Sequence, residues 1–265
     1  VDMLLLQDLM GDNCELEMIS GGCDKETHRR RFRTKLIAMG MCGYDRVLIE
    51  PSGIFDVDDF FDALHEEPLD RWYQIGNVIT VVDASLEKTL SKEADYVLAS
   101  EVANAGCVLL SKTQDASAEE IRQTVAHLNR ALQEIHCSRV LKDEVICKDW
   151  EDFTEKEFKK ILESGYLVED YEKLYVDQDE IFQTLFFMDE KIAVSKAKHA
   201  AKKIFEDPAC GGVLRIKGFL QDGENWLELN ATQHEISLKP IGAGQDVLII
   251  IGEKLNEEKI RYYLE

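Results

Sequence analysis

Apolar and polar positions follow two rhythms along this chain, and the change between them falls near residue 180. In the first part, short apolar runs end in acids, glycines or small polar residues. Val47-Leu48-Ile49 is closed by Glu50 and turned by Pro51-Ser52-Gly53. That order predicts a buried parallel strand, and proline cannot continue a central strand, so Glu50 is expected at its carboxyl end, facing a ligand crevice. A simple exit of Glu50 into water carries equal weight. Asn77–Val82 predicts a second strand, ending in Asp83-Ala84-Ser85, and Cys107–Leu110 a third, ending in Ser111-Lys112-Thr113-Gln114-Asp115. Ser117 and Glu120 form a capping box. Ile121, Val125, Leu128, Leu132 and Ile135 then mark one face of a helix. Further helices are expected over 24–39, from Asp56 through Phe60, Phe61 and Leu64, and over 90–105, and a further strand within 140–146. A half-exposed strand is expected at Glu15–Ile19, where acids and apolar residues alternate.

Strands that alternate with helices predict an α/β fold with a parallel sheet flanked by helices. All three acidic or polar strand ends (Glu50, Asp83 and Ser111-Lys112) should then lie on one sheet edge, the edge at which open α/β sheets bind ligands.

Residues 147–178 are acidic and aromatic, with one helix near 154–163, and read as a connector. Beyond them Phe182–Met188 predicts a strand. A helix follows to Glu206, with Ala193, Ala197, Ala200, Ala201 and Ile204 on one face, then runs at 212–220, 225–230, 234–238 and 246–251, and a last helix near 256–264. That grouping predicts a smaller α+β domain with a largely antiparallel sheet. The expected division is 1–178 and 179–265.

Composition narrows the partners. Asp and Glu total 52 against 31 Lys and Arg, a net charge of −21. Such a surface disfavours nucleic acid and anionic membranes as partners. Arg29, Arg30, Arg31, Arg33 and Lys35 form the one dense basic cluster, read first as a solvated helix face and second as a phosphate or acidic-partner contact. No run reaches the roughly 20 apolar residues of a membrane span. The 7 cysteines contain no C-x-x-C, a pattern that fits a reducing cytoplasm. His127, His136 and His199 share no ligand spacing and are read as surface or satisfied core residues. Trp72, Trp150 and Trp226 are read as packing residues. Arg215 and Lys217 share one strand face, read as solvated first and as a client contact second.

The order I-E-P-S-G, V-V-D-A, L-S-K-T-Q, R-I-K-G-F-L and V-L-I-I-I-G resembles that of the CobW-like GTPases over nearly the whole chain. The resemblance implies a P-loop NTPase-like domain with an appended C-terminal domain. It implies a nucleotide-dependent, GTPase-type metal or cobalamin-cofactor chaperone, using GTP and Mg²⁺ and handling Zn²⁺ or Co²⁺ for a client metalloprotein or corrinoid protein. Homo-oligomers are compatible with it. Glu50 and Gly53 match the family's E-x-x-G turn near the γ-phosphate, which implies a catalytic and magnesium role for them. Ser111, Lys112 and Gln114 match its N-K-x-D base reader, and Asp83 stands on the same edge. Gln114 departs from the family aspartate, and an amide offers guanine a single acceptor where a carboxylate offers two. Cys23, after Gly22, begins the family's G-C-x-C-C metal motif, but Asp24, Lys25 and Glu26 follow, so a three-thiolate zinc site is not expected; Cys23 is read first as a free thiol and second as a weak metal ligand with Glu26 or His28. The sequence holds no G-x-x-x-x-G-K-[ST]. The family places that loop ahead of the matched segment, so the domain is expected to be N-terminally incomplete. The alternative is a non-catalytic interaction or regulatory protein that keeps the NTPase fold without a working phosphate loop.

Overall fold

The computed structural model describes residues 2–6, 9–12, 14–19, 25–51, 57–173, 182–188 and 192–265. The chain divides into two units, Gly21–Val176 and the combination of Val1–Ser20 with Asp177–Glu265. A short helix, α1 (Asp2–Leu5), precedes the first of these.

Three parallel strands, β1 (Ile79–Asp83), β2 (Cys107–Ser111) and β3 (Val145–Ile146), form the sheet of the Gly21–Val176 unit in the order β1-β2-β3. Helices α5 (Lys92–Asn104) and α6 (Ala118–Glu134) are the crossovers between them. Both crossovers start on serine caps. Ser91 Oγ accepts the Ala94 amide at 3.0 Å, and Ser117 with Glu120 closes a complete capping box. A buried contact ties the two helices, His127 Nε2 to Asp95 Oδ1 at 2.6 Å, which makes His127 a satisfied core histidine. Arg139 closes the other end of α5, its guanidinium donating to the carbonyls of Val102 and Ala103. These are two of the acceptors a helix terminus leaves orphaned.

One face of β2 carries Cys107 and Leu109, which pack with Ile146, Phe153 and Ile161. Ile161 belongs to α7 (Glu155–Leu162), which begins on a Thr154–Glu157 capping box. The hydroxyl of Thr154 donates to Glu157 and holds its carboxyl down to about 2. Gly106 meets the connector so closely that a Cβ there would lie 2.2 Å from the Gly165 carbonyl oxygen, a close approach that needs glycine. N-terminal to the sheet lie α2 (Lys25–Cys42), α3 (Val57–Leu64) and α4 (Leu69–Trp72). Phe32 and Leu36 of α2 are buried, and the Phe32 ring packs tilted against Phe60 of α3, centroids 5.3 Å apart. Within the basic cluster, Arg29 and Arg33 both bind Glu66, at 2.6 and 2.8 Å.

Three expected strands are corrected. Val47–Ile49 joins no ladder, and Leu48 is 86% exposed. A parallel strand is held by its neighbours, yet the edge of β1 away from β2 carries no strand among the described residues. An apolar run alone does not supply the missing backbone partners. Glu15–Ile19 likewise forms no strand. The strand expected within 140–146 shrinks to Val145–Ile146, because the residues before it give their amides to side chains instead of a ladder. Leu141 N donates to Asn129 Oδ1 and Lys142 N to Glu144 Oε2.

The antiparallel domain follows its sequence pattern closely. Its sheet has the order β4-β8-β5-β6-β7, with β4 Phe182–Met188, β5 Gly212–Asp222, β6 Asn225–Ala231, β7 Ile236–Ile241 and β8 Val247–Glu253. Helices α8 (Val194–Glu206) and α9 (Glu257–Leu264) supply core residues against one face. Ala197, Ala200 and Ala201 let α8 sit near the strands, and Ile204 fills the centre beside Ile216, Leu229 and Ile250. Asp207 clamps α9. It accepts the Tyr263 hydroxyl at 2.6 Å and pairs with Lys259 at 3.2 Å. The Tyr263 hydroxyl and the Ala209 amide hold its carboxyl down to about 2.

Candidate functional site

The register of the parallel sheet builds the site. Asp83 stands opposite Ser111 at the last rung of β1 and β2, so both strands release their loops at one level of the carboxyl edge. The Ala84 amide donates to the Ser111 carbonyl at 2.9 Å and the Ser111 hydroxyl to the Val82 carbonyl at 3.3 Å. Those bonds splice the two loops together just past the ladder.

Lys112 leaves β2 in a left-handed conformation, φ +57°. Its ammonium lies 3.0 Å from Asp83 Oδ2. Asp83 Oδ1 accepts the Ser85 amide at 2.9 Å, an Asx turn that fixes the carboxylate. Both groups are half-buried, so the pair is a positioning contact more than a source of stability. Thr124 of α6 holds the loop from beneath, donating to the Ala84 carbonyl at 2.8 Å and accepting the Leu86 amide at 3.3 Å. Gln114 and Asp115 are exposed in the turn after Lys112, and the Asp115 amide returns to the Lys112 carbonyl at 3.1 Å. Trp150, just beyond β3, donates its indole N–H to the Leu110 carbonyl at 3.2 Å.

Asp83, Ser111 and Lys112 are therefore brought together, with Gln114 two residues along the same loop. Glu50 is not delivered there by a strand. It lies exposed in a segment without helix or strand, outside the sheet. Gly53 and Cys23 lie outside the described residues. Thr124 and Trp150 take part at this edge although no local pattern singles them out: Thr124 sits within the apolar face of a helix, and Trp150 reads as packing until β3 is known to run parallel to β2.

The site offers a Mg²⁺ ion one hard ligand, the Asp83 carboxylate, which suits an ion that retains several waters. A zinc centre finds less. Among the described residues no group of three His, Cys, Asp or Glu side chains could hold a metal ion. Cys107, Cys137 and Cys210 are buried thiols pushed up by burial, which disfavours the thiolate that metals bind. Among the described residues no helix is long and apolar enough to cross a membrane.

The sequence model of the CobW/HypB/UreG nucleotide-binding domain matches residues 3–139. No curated protein matches the chain. Two solved structures resemble it: Zn(II)-bound YjiA GTPase from E. coli, at a TM-score of 0.34, and a Zn(II)-bound triple mutant of YjiA GTPase, at 0.36. Each is 19% identical and is aligned over 92% of this chain and 77% of its own. At those TM-scores the likeness carries no argument about the site.

Proposed function

The chain belongs to the CobW/HypB/UreG nucleotide-binding-domain family, and from that premise we propose that it is a nucleotide-dependent, GTPase-type chaperone for a metal or for the cobalamin cofactor. One observation carries the reading at the level of residues. The register Asp83↔Ser111 sets an acid and a lysine 3.0 Å apart at the carboxyl edge of a parallel sheet. In this proposal the Lys112 stem lies along a purine ring, Ser111 and Gln114 face the base, and Asp83 contributes to the magnesium shell. Glu50 and Gly53 would act at the γ-phosphate. Because Glu50 stands outside the sheet, that role requires its segment to move when nucleotide binds. A metal cargo, Zn²⁺ or Co²⁺, would be passed to a client metalloprotein or corrinoid protein, in a cytoplasmic setting.

The domain division we propose keeps the connector with the nucleotide-binding part, 1–178 against 179–265. Gln114 in place of an aspartate weakens the case for guanine, since its amide has one acceptor and a competing donor. Calorimetric titration with GTP–Mg²⁺, ATP–Mg²⁺ and Zn²⁺ tests the reading. We expect heat from at least one nucleotide, reduced about tenfold in affinity by Lys112→Ala, which removes the stem from the base and the ammonium from Asp83. Heat from no nucleotide sinks the chaperone reading and favours a non-catalytic protein that keeps the fold.

A further inference from the structure

The two edges of the antiparallel sheet are built differently. At one edge β7 carries Lys239 and Pro240, the charge and the proline that block further pairing. At the other edge β4 reads Phe-Gln-Thr-Leu-Phe-Phe-Met over residues 182–188, with no charged residue and no proline. Its ladder to β8 runs unbroken from Phe182 to Met188, without a bulge. Among the described residues no strand occupies its outer side.

The side chains of β4 divide between two faces. Leu185 and Phe187 pack into the core beneath α8 and α9, so Phe182, which is buried, and Thr184, Phe186 and Met188 point to the opposite face. There Phe186 is 57% exposed and Met188 62% exposed. Their nearest cross-strand neighbours on β8 are Ile249, opposite Phe186, and Val247, opposite Met188. Among the described residues, an edge without a strand beyond it thus stands beside exposed apolar side chains.

We propose that this edge pairs with the β4 of a second copy of the chain, antiparallel about a two-fold axis through Leu185. Three features favour a second copy over a foreign strand. The segment complements itself, because the axis sets Phe186 opposite Thr184, an aromatic and β-branched pair that supports a ladder, and Met188 opposite Phe182. Two copies of a chain with net charge −21 repel each other, and a contact made by seven uncharged β4 residues adds no local like-charge repulsion to that. A two-fold normal to the sheet makes the contact isologous and closed. It joins two five-stranded sheets into one ten-stranded sheet with all four helices on the same face, and it leaves Lys239 and Pro240 guarding both new outer edges.

Sedimentation equilibrium of the chain, with hydrogen exchange followed across a range of concentrations, tests this. The expected result is a mass of two chains, with amide protection in 182–188 rising with concentration. The double variant Thr184→Lys with Phe186→Lys sets lysines across the axis and should halve the mass without changing the circular dichroism or Tm. A chain that stays single at every concentration overturns the proposal. So does a dimer that survives the double variant in a folded state, or one whose concentration-dependent protection lies outside β4. Protection of β4 in a single chain by an added extended peptide would give the edge to a foreign strand, and the second-copy reading falls.

Discussion

The two sheets of this protein reach stability by different routes. In the antiparallel sheet β5, β6 and β7 follow one another as hairpins, β8 returns to pair with both β5 and the distant β4, and α8 and α9 cover one face. In the parallel sheet each strand reaches its neighbour through a crossover, and the cover is uneven. Val81 stands in register with Leu109, on the same face. Leu109 is buried beside Phe153 and Ile161, while Val81, one strand over, is 55% exposed and Ile79 40% exposed. The cover that α7 gives β2 and β3 does not extend to β1. The opposite face of β1 is closed, with Thr80 and Val82 buried. A strand's apolar pattern thus reports what it can bury, and its neighbours decide what it does bury.

The largest test of that contrast lies in the covered core. Ile204 is fully buried in the cluster beneath the antiparallel sheet. Ile204→Ala should cost about 2–5 kcal/mol, the transfer and cavity terms of a large-to-small core change. Hydrogen exchange resolved by region is the measurement. Amides of β4, β5 and β8 should lose protection while those of β2 keep theirs. Equal loss in both sheets would break the comparison, since the two would then unfold as one.

Legibility in the sequence follows the same division. The antiparallel strands and the alanine face of α8 were readable because alternation, turns and helix spacing are local signals. So were β1, β2, the Ser117 cap and the convergence of Asp83 with Ser111-Lys112, since parallel strands joined by capped helices must end on one edge. Val47–Ile49 was misleading. Its composition suits a central strand, but the backbone partner that would make it one is not a property of those residues. Thr124 and Trp150 were illegible for a related reason, because each acts on a loop brought to it by another strand or helix. The Lys112 contact to Asp83 was foreseeable as proximity and not as an ion pair, because the left-handed turn at Lys112 leaves no mark in the sequence.

An intermediate effect is expected from Glu101, on the helix that covers the closed face of β1. Burial pushes its carboxyl up to about 8. The folded state therefore holds a proton that the unfolded state releases near the ordinary carboxylate value. Stability from this group is full below that value and falls as pH rises toward about 8. Glu101→Gln should raise stability by about 1–3 kcal/mol at the alkaline end of that window and by little at its acid end. Denaturant melts at both ends check the sign. A variant no more stable at high pH would show that this face of the parallel sheet is wetter than its geometry indicates.

Ser117→Ala probes the crossover into α6 and should cost about 1 kcal/mol, the usual loss on removing a helix cap. The serine oxygen accepts the Glu120 amide at 3.2 Å, and Glu120 returns a bond to the Ser117 amide at 2.8 Å. Ser117→Thr should recover most of the loss, because its hydroxyl can accept the Glu120 amide and donate to the Glu120 carboxylate, as the serine does at 2.6 Å. Failure of that rescue would mean that the serine acts through something other than its cap.

Val81→Thr is expected to have the smallest effect, and it bears most directly on the uncovered face. The two side chains have the same shape and the same preference for extended backbone, so packing in the ladder is unchanged. Only the environment of one methyl group differs, now a hydroxyl. At a site 55% exposed water satisfies that hydroxyl, and the change should stay within about 0.5 kcal/mol. The same substitution in a covered position buries an unpaired hydroxyl and costs roughly 1–3 kcal/mol. Val108→Thr, at a fully buried site on the neighbouring strand, provides that reference. Two urea midpoints therefore decide the matter. If Val81→Thr proves as costly as Val108→Thr, the face of β1 is covered in solution, and the contrast between the two sheets disappears.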